Sequence, residues 1–379
     1  MDYPGEPTQA WLSSVVGAPL KWCNVQKVKT SGISESNFYR VKLCVEGESA
    51  PRMLFVKALN AAASSVTRRL FVAESAALKV LGACDPRPPC VRSPFSSAEV
   101  IVMEDLGTKL QTAGTGMTQA QVESALDTLA EFHAALWGRS DTAADLTELE
   151  AHENSLRWNG TVYHVSLVYD DTERVRKWMN SFVRMACKGN GGKPTRALIL
   201  RALDELDGKL IWRLLHRTPR TVLHGDCHVG NLAFTASDGP VLFDFGAAVY
   251  GSPAFDVATV MLELLPRVLK QGGVKELQQA LLRRYWDQLT RRLRDRLGDY
   301  TYDGFVSEWE VATLARAALT WRMCSPYMAW VPCLWMSSSL FADWLGTQKS
   351  SVIALTSFLD AEWITRTAAS SGLRYALIR

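Results

Sequence analysis

The sequence contains no apolar run near the roughly 18 residues that a membrane-spanning helix needs. Residues 1–6 also lack the basic segment, followed by an apolar one, that marks a secretory signal. The net charge of +3 is too small to indicate a nucleic-acid or membrane-surface partner. We therefore expect a cytoplasmic protein, monomer or homodimer, with neither nucleic acid nor a membrane among its partners.

Paired cysteines are missing as well. The eight cysteines are scattered, with no CxxC pair and no zinc-binding spacing. A chain of 379 residues can bury a core without disulfides, so reduced thiols are expected. With 47% hydrophobic and 21% charged residues, the composition is typical of a folded globular protein. The length suits two lobes or domains better than a single core.

Hydrophobic periodicity divides the chain into a sheet-rich part and a helical part. Residues 38–45 and 53–59 alternate as half-buried strands do, with a turn between them, and predict a hairpin. A helix is predicted over residues 64–82 and a short strand over 100–103. From about residue 118 the spacing of apolar residues becomes helical. The order predicts a small sheet lobe, a hinge, and a large helical lobe.

A basic stretch near the end of the helical part has two possible explanations. Several arginines between residues 283 and 296 alternate with apolar side chains, which predict the buried stripe of an amphipathic helix: Leu282, Tyr285, Leu289, Leu293 and Leu297. The arginines would then form a solvated basic face, and a phosphate- or partner-binding surface is the alternative.

Two acidic loops carry the chemistry. HGDCHVGN (residues 224–231) follows an apolar strand and places Asn231 five residues after Asp226. LFDFG (residues 242–246) ends another apolar strand with Asp244. Phosphoryl transfer needs a carboxylate that orients the acceptor hydroxyl and takes its proton, together with oxygen ligands for Mg²⁺. Loops at neighbouring strand ends can bring these three side chains to one point.

These motifs resemble those of the aminoglycoside phosphotransferase and choline kinase superfamily (ecdysteroid kinase-like proteins included), which shares its fold with protein kinases. Lys57 in a strand and Glu74 in the following helix resemble the kinase Lys–Glu ion pair. MEDL (residues 103–106) resembles the hinge whose backbone groups bind adenine. LAEFHA (residues 129–134) resembles the helix after the hinge, and GSPAFDVA (residues 251–258) the segment whose Asp steadies the catalytic loop.

The resemblance implies an α+β, protein-kinase-like bilobal fold. Residues 1–104 would form the N-lobe with its small antiparallel sheet, and residues 105–379 the mainly helical C-lobe. ATP and Mg²⁺ are the implied cofactors, with Asp226 as catalytic base and with Asn231 and Asp244 as magnesium ligands. The residues implied to hold the nucleotide are Lys57, Glu74, Ser34, Ser36, Asn37, Glu104 and Leu106.

The expected activity is transfer of the γ-phosphoryl group of ATP to a hydroxyl of a small metabolite or natural product. An aminoglycoside-type antibiotic phosphotransferase and a nucleotide-binding pseudokinase are the alternatives, and the intact set of motif residues argues against the second. HGD in place of HRD, and the absence of an A-P-E segment, argue against a protein kinase.

The acceptor side of the site is less specified. Contacts with the acceptor are expected from residues 138–220 and from the Trp-rich helices after residue 301, where an aromatic cage and a helical core both fit the pattern. His224 is expected to support its loop by hydrogen bonds. His228 is equally compatible with lining the acceptor site and with packing.

Overall fold

A five-stranded antiparallel sheet forms the first part of the protein. The computed structural model describes residues 3–28, 35–85, 87–107, 118–138, 221–234, 239–268, 274–310 and 312–313. The strands of the sheet are β1 (Leu20–Val28), β2 (Ser36–Val45), β3 (Arg52–Leu59), β4 (Phe95–Ser96) and β5 (Val100–Glu104). Their order is β1-β2-β3-β5-β4. The predicted hairpin is β2–β3, so that prediction is confirmed.

The register of the sheet decides which side chains face the rest of the protein. Phe38 lies opposite Lys57, and Lys57 lies opposite Ile101. Directly opposite residues project from the same face, so these three side chains share one side of the sheet. The other face, including Val41 and Val56, packs against helix α1 (Gln9–Val16). Period-two alternation therefore places Lys57 on the side away from α1.

Helix α2 (Ser65–Gly82) connects the sheet to the helical part. The Ser64 hydroxyl accepts a hydrogen bond from the Thr67 N–H and caps the helix, as Ser residues favour at this position. The buried face of α2, with Ala77 and Leu81, belongs to the same hydrophobic cluster as β5 and the helices that follow. Because α2 packs on both parts, it can hold a charged residue at their junction.

Helices dominate the second part: α3 (Gln119–Leu136), α4 (Ala254–Val268), α5 (Val274–Leu293), a short 3₁₀ turn (Arg294–Leu297) and a helix over residues 302–310. The long helix α3 starts with a capping box between Thr118 and Gln121. Helix α5 packs along α3 through its predicted apolar stripe. None of the helices in the described ranges is both long and apolar enough to span a membrane.

The arginines of α5 bind acidic side chains of α3. The Arg284 guanidinium donates to Asp127 at 2.7 Å and to Glu123 at 3.2 Å. Arg292 reaches Glu131 at 3.2 Å. These contacts explain two of the basic residues as part of the α3–α5 interface, which is a simpler role than phosphate binding.

Two short strand pairs carry the acidic loops. Strand β6 (Thr221–Leu223) pairs with β9 (Val249–Gly251), and β7 (Leu232–Ala233) pairs with β8 (Val241–Leu242). The apolar strands predicted before the two acidic motifs are present as β6, of three residues, and β8, of two. The small antiparallel sheet and the large helical part together make the α+β, kinase-like architecture.

Burial in the α3–α5 interface predicts a large stability cost for Leu289→Ala. Leu289 is fully buried, so the change should lower the free energy of unfolding by about 3 kcal/mol. Urea denaturation followed by circular dichroism measures it. Asp287→Ala, on the exposed side of α5, is the control and should change the value by less than about 0.5 kcal/mol. Equal effects of the two changes would contradict this packing.

Candidate active site

Lys57 joins three parts of the chain that are far apart in sequence. Its ammonium donates to the Glu74 carboxylate of α2 at 2.5 Å and to Asp244 Oδ1 at 3.2 Å. Glu74 is buried, whereas the Asp244 side chain, which follows β8, is half exposed. The sequence-predicted ion pair is therefore present. One carboxylate lies in the interior and the other is exposed to solvent.

The pKa values at this site follow from burial and mutual charge. Burial alone would lower the pKa of Lys57, but Asp244 and Glu74 together raise it above its usual value. The Lys57 charge lowers the pKa of Asp244. Burial raises the pKa of Glu74, and the attraction of Lys57 offsets this only in part. Lys57 is thus a permanent cation, and Asp244 stays ionised at neutral pH.

The loop after β6 brings Asp226 and Asn231 next to the loop of Asp244. The Asn231 amide Nδ2 donates to the Asp226 backbone carbonyl at 2.9 Å, so its Oδ1 atom remains as an acceptor. The Phe243 N–H donates to the Asn231 carbonyl at 3.2 Å, which places Asn231 beside the loop of Asp244. The negative charge of Asp226 acts on Asp244 to raise its pKa, against the larger effect of Lys57. The two acidic loops therefore converge.

Asp256, in the first turn of α4, holds the backbone of the HGDCHVGN loop (residues 224–231). Its fully buried carboxylate accepts from the His224 N–H at 2.6 Å and from the Gly225 N–H at 2.9 Å. His133 of α3 approaches it at 3.2 Å through Nε2. Burial alone would raise the pKa of Asp256, but the hydrogen bonds from His133 and from the His224 N–H hold it below its usual value. The predicted steadying role of this Asp is confirmed.

The two histidines of the motif have different surroundings. His224 Nε2 donates to the Phe243 carbonyl at 2.8 Å, and its Nδ1 accepts from the Asp226 N–H at 3.4 Å. His224 thus uses Nδ1 to support its own loop, as the sequence predicts, and Nε2 to join that loop to the one that carries Asp244. His228 is half exposed, and its Nε2 lies 3.7 Å from Asp226 Oδ2. His228 is therefore beside Asp226 and outside the core.

Two of the residues predicted to hold the nucleotide, Ser36 and Asn37, begin β2. Asn37 pairs with Ala58, the residue after Lys57, and Ser36 pairs with Leu59. The Ser36 hydroxyl is buried and finds no hydrogen-bond partner within the described ranges. Ser34 lies outside the described residues.

The hinge segment is held by contacts with neighbouring segments of the same chain. The Glu104 N–H donates to the Arg92 carbonyl at 2.8 Å, and its carboxylate accepts from the Arg92 N–H at 2.9 Å. The Asp105 N–H donates to the Met53 carbonyl at 3.1 Å, and its carboxylate pairs with Arg40 at 3.2 Å. The Glu104 side chain is therefore occupied by a structural contact, and Leu106 packs against the main core.

The described residues contain no cluster of three or more His, Cys, Asp or Glu side chains that could hold a metal ion by themselves. Asp244 and Asn231 offer two oxygen ligands at adjoining strand ends. Such a pair can hold Mg²⁺ only when phosphate oxygens or water complete its shell, which is the usual arrangement in nucleotide-dependent enzymes. Of the predicted acceptor contacts, residues 139–220 and those after 313 lie outside the described ranges, and Trp309 is buried in the core.

A sheet with a buried Lys–Glu pair, facing two acidic loops on a helical base, defines a phosphotransferase of the protein-kinase-like fold. The chain belongs to the phosphotransferase enzyme family, whose sequence model matches residues 31–298. No curated protein matches the chain in sequence.

Solved structures similar to this one include three phosphotransferases. A macrolide 2'-phosphotransferase from Brachybacterium faecium is 13% identical, with a TM-score of 0.43, over 91% of this chain and 96% of that one. An ethanolamine kinase from Plasmodium vivax is 10% identical, with a TM-score of 0.48, over 89% and 84%. A choline kinase from Cryptosporidium parvum is 11% identical, with a TM-score of 0.45, over 89% and 93%.

Sequence reasoning missed one residue of this region. The Tyr285 hydroxyl of α5 lies 2.8 Å from His133 Nδ1, in a fully buried contact. Tyr285 was assigned only to the apolar stripe of its helix. A tyrosine in such a stripe suggests a buried hydroxyl that needs a partner, but the sequence does not identify that partner.

The close approach at Gly225 predicts that no side chain is tolerated there. Its φ is +78°, and an added Cβ would meet the Ala247 carbonyl oxygen at 1.9 Å. Gly225→Ala should lower the free energy of unfolding by about 3 kcal/mol or displace the loop and abolish activity.

Gly47→Ala is the matched control, because Gly47 has a φ of +83° and nothing within 4 Å of an added Cβ. It measures backbone strain alone, about 1 kcal/mol. Thermal unfolding of both variants separates the cost of backbone strain, which both share, from the cost of the contact with Ala247, which only Gly225→Ala makes. A Gly225→Ala protein as stable and active as Gly47→Ala would contradict the observed contact.

Proposed function

We propose that this protein is an ATP- and magnesium-dependent kinase that transfers the γ-phosphoryl group to a hydroxyl of a small molecule. The observation that carries this proposal is the position of the Lys57 ammonium, in contact with both Glu74 and Asp244 and beside the loop of Asp226. A fixed cation next to ionised carboxylates at an open cleft suits a metal-bound polyphosphate.

The nucleotide is proposed to bind under the sheet, on the face that carries Lys57. Phe38 and Phe55 project from this face with ring centroids 5.8 Å apart and offer an apolar wall to a nucleobase. The Ser36 hydroxyl, which has no hydrogen-bond partner among the described residues, suits a phosphate oxygen. Because the Glu104 N–H is occupied, adenine would contact the Glu104 carbonyl and the Leu106 N–H. We place the boundary between the lobes, 1–104 and 105–379, at this hinge.

The residues also fit the metal. Asp244 and the remaining oxygen of Asn231 would bind Mg²⁺, with Lys57 holding the α- and β-phosphates. When bound, Mg²⁺ neutralises charge on the phosphates as the γ-phosphoryl group moves. Lys57, kept cationic by its two carboxylates, supplies a second positive charge that needs no reorganisation. Catalysis then rests mainly on positioning and charge.

Asp226 is proposed as the base. Its carboxylate accepts the hydrogen bond of the acceptor hydroxyl, orients the oxygen toward the γ-phosphorus and takes the proton as the bond forms. Asn231 holds the backbone of Asp226 through its amide, and Asp256 holds the two preceding N–H groups. The backbone at Asp226 and just before it is therefore fixed by contacts with Asn231 and Asp256.

The acceptor class is tested by incubating the protein with Mg-ATP and a metabolite extract, then identifying phosphorylated products by mass spectrometry. A phosphorylated alcohol would support the proposal. A parallel panel of kanamycin-like compounds tests the antibiotic phosphotransferase alternative. Tight Mg-ATP binding without any phosphorylated product would instead identify a pseudokinase.

Asp226→Asn should remove most turnover without weakening nucleotide binding. The amide keeps the shape of the side chain but cannot take a proton, so turnover should fall by about a thousandfold. Calorimetric titration with Mg-ADP should give an unchanged dissociation constant. Turnover near the wild-type rate would refute the assignment of the base.

Asp244→Asn should instead weaken the metal-dependent part of nucleotide binding. Loss of the anionic ligand should raise the ADP dissociation constant in Mg²⁺ by about tenfold or more, with little change in EDTA. Asp287→Asn, on the exposed face of α5, is the control and should bind like the wild type. A variant whose ADP affinity depends on Mg²⁺ as the wild type does would show that Asp244 is not a ligand.

A further inference from the structure

The backbone of His228 is fixed beside Asp226. The His228 N–H donates to the Asp226 carbonyl at 2.8 Å, and the His228 carbonyl accepts from the Asn231 N–H at 2.9 Å. Cys227, which lies between Asp226 and His228, is fully buried, whereas the Asp226 and His228 side chains are both partly exposed. This tight turn therefore directs the imidazole and the carboxylate to the solvent-exposed side of the loop.

The imidazole ring of His228 is fixed as well, because it lies against Gly230. The Gly230 N–H donates to His228 Nδ1 at 3.0 Å. A Cβ added at Gly230 would lie 2.6 Å from His228 Cε1. The φ of Gly230 is outside the left-handed region, so the backbone here does not require a glycine. What excludes a side chain at residue 230 is therefore the position of the His228 ring.

The contact with Gly230 decides which nitrogen of the His228 ring carries a proton. A backbone N–H can only donate, so the Gly230 N–H needs an unprotonated Nδ1, and the proton of a neutral ring is then on Nε2. A doubly protonated ring also carries a proton on Nε2, so Nε2 is a donor in either charge state. Nε2 has no lone pair with which to take a proton from Asp226. His228 is thus a hydrogen-bond donor and not a proton relay.

The distance from His228 Nε2 to Asp226 Oδ2, 3.7 Å, is too long for a direct hydrogen bond. A single oxygen atom about 2.8 Å from each of them can contact both. The acceptor hydroxyl, which donates its proton to Asp226 in the proposed reaction, would be that oxygen. It would accept from Nε2 with one lone pair and attack the γ-phosphorus with the other.

We propose that His228 is a second catalytic residue, whose Nε2–H binds the acceptor oxygen and, with Asp226, orients its attacking lone pair. The bond from that oxygen to the γ-phosphorus forms while the bond from the γ-phosphorus to ADP breaks, and ADP keeps the electron pair. The hydroxyl proton goes to Asp226, and the Nε2 proton stays in place. The inference deepens the proposed function and rests on the role given there to Asp226.

The His228 donor also favours hydroxyl acceptors over amines. An uncharged amine nitrogen has one lone pair, which must attack the phosphorus and so cannot accept from Nε2. A hydroxyl oxygen has two lone pairs and can do both. The site as a whole is therefore matched to an alcohol.

Crystals grown with Mg-ADP and tetrafluoroaluminate, a mimic of the γ-phosphoryl group in transit, test the contact without needing turnover. The water bound to aluminium opposite ADP stands for the acceptor oxygen. It should lie about 3 Å from both His228 Nε2 and an Asp226 carboxylate oxygen. A water bound to Asp226 but beyond about 4 Å from Nε2 would overturn the inference and leave the proposed base intact. A water that contacts neither residue would contradict the proposed function as well.

Two amide variants form a matched pair for kinetics. Gln places its side-chain nitrogen near the position of Nε2, whereas Asn reaches only the position of Nδ1. With water as acceptor, His228→Asn should lower the kcat of ADP release by about thirtyfold and His228→Gln by only about threefold, both with an unchanged KM for ATP. Equal losses in the two variants would overturn the inference. A raised KM for ATP would place His228 on the nucleotide and would overturn it too.

A double-mutant comparison tests the contact between the ring and Gly230. Gly230→Ala should displace the imidazole and lower kcat about as much as His228→Asn does. In a His228→Ala background the same change should cause little further loss, because no ring is left to displace. Losses that multiply would show that Gly230 acts independently of His228, which would overturn the argument for a fixed donor.

Discussion

The contact of the Lys57 ammonium with Glu74 and Asp244 is the interaction on which the site depends. A lysine buried on a sheet loses the hydration of its charge, so it needs carboxylates close by. Glu74 supplies one from the interior side and fixes α2 against β3. Asp244 supplies the other from the open side. The same cation therefore joins the sheet, its helix and the helical part, and presents positive charge to whatever enters the cleft.

The loop that contains Asp226 is held by the buried carboxylate of Asp256. Asp256 accepts two backbone N–H groups before Asp226, while Gly225 passes against Ala247 where only a glycine fits. Packing supports this arrangement, since Phe245 stacks on Phe132 at 5.9 Å and lies 4.7 Å from His224. The carboxylate of the proposed base can thus be precise in position while partly exposed, because the backbone beneath it is fixed by groups that water does not reach.

Local patterns predicted much of this structure. The β2–β3 hairpin, helix α2 and the Lys57–Glu74 pair follow from periodicity and from a recognisable motif. The extent of β6 and β8 does not, because His224 and Asp244, which follow these strands, contact Asp256 and Lys57, which are distant in sequence. Tyr285 shows the limit most clearly: its hydroxyl is paired across 152 residues of sequence, and only the packing of α5 on α3 reveals the partner. Ser34 lies outside the described residues, and its role stays a prediction.

The central claim is that Lys57, Asp244 and Asn231 surround a metal-bound nucleotide. Anomalous diffraction from crystals grown with ADP and Mn²⁺, a substitute for Mg²⁺, tests this directly. The account predicts a manganese peak bonded to the Asp244 carboxylate and the Asn231 amide oxygen, with the Lys57 ammonium on an ADP phosphate. Manganese bound elsewhere, or a nucleotide whose phosphates lie away from Lys57, would contradict it.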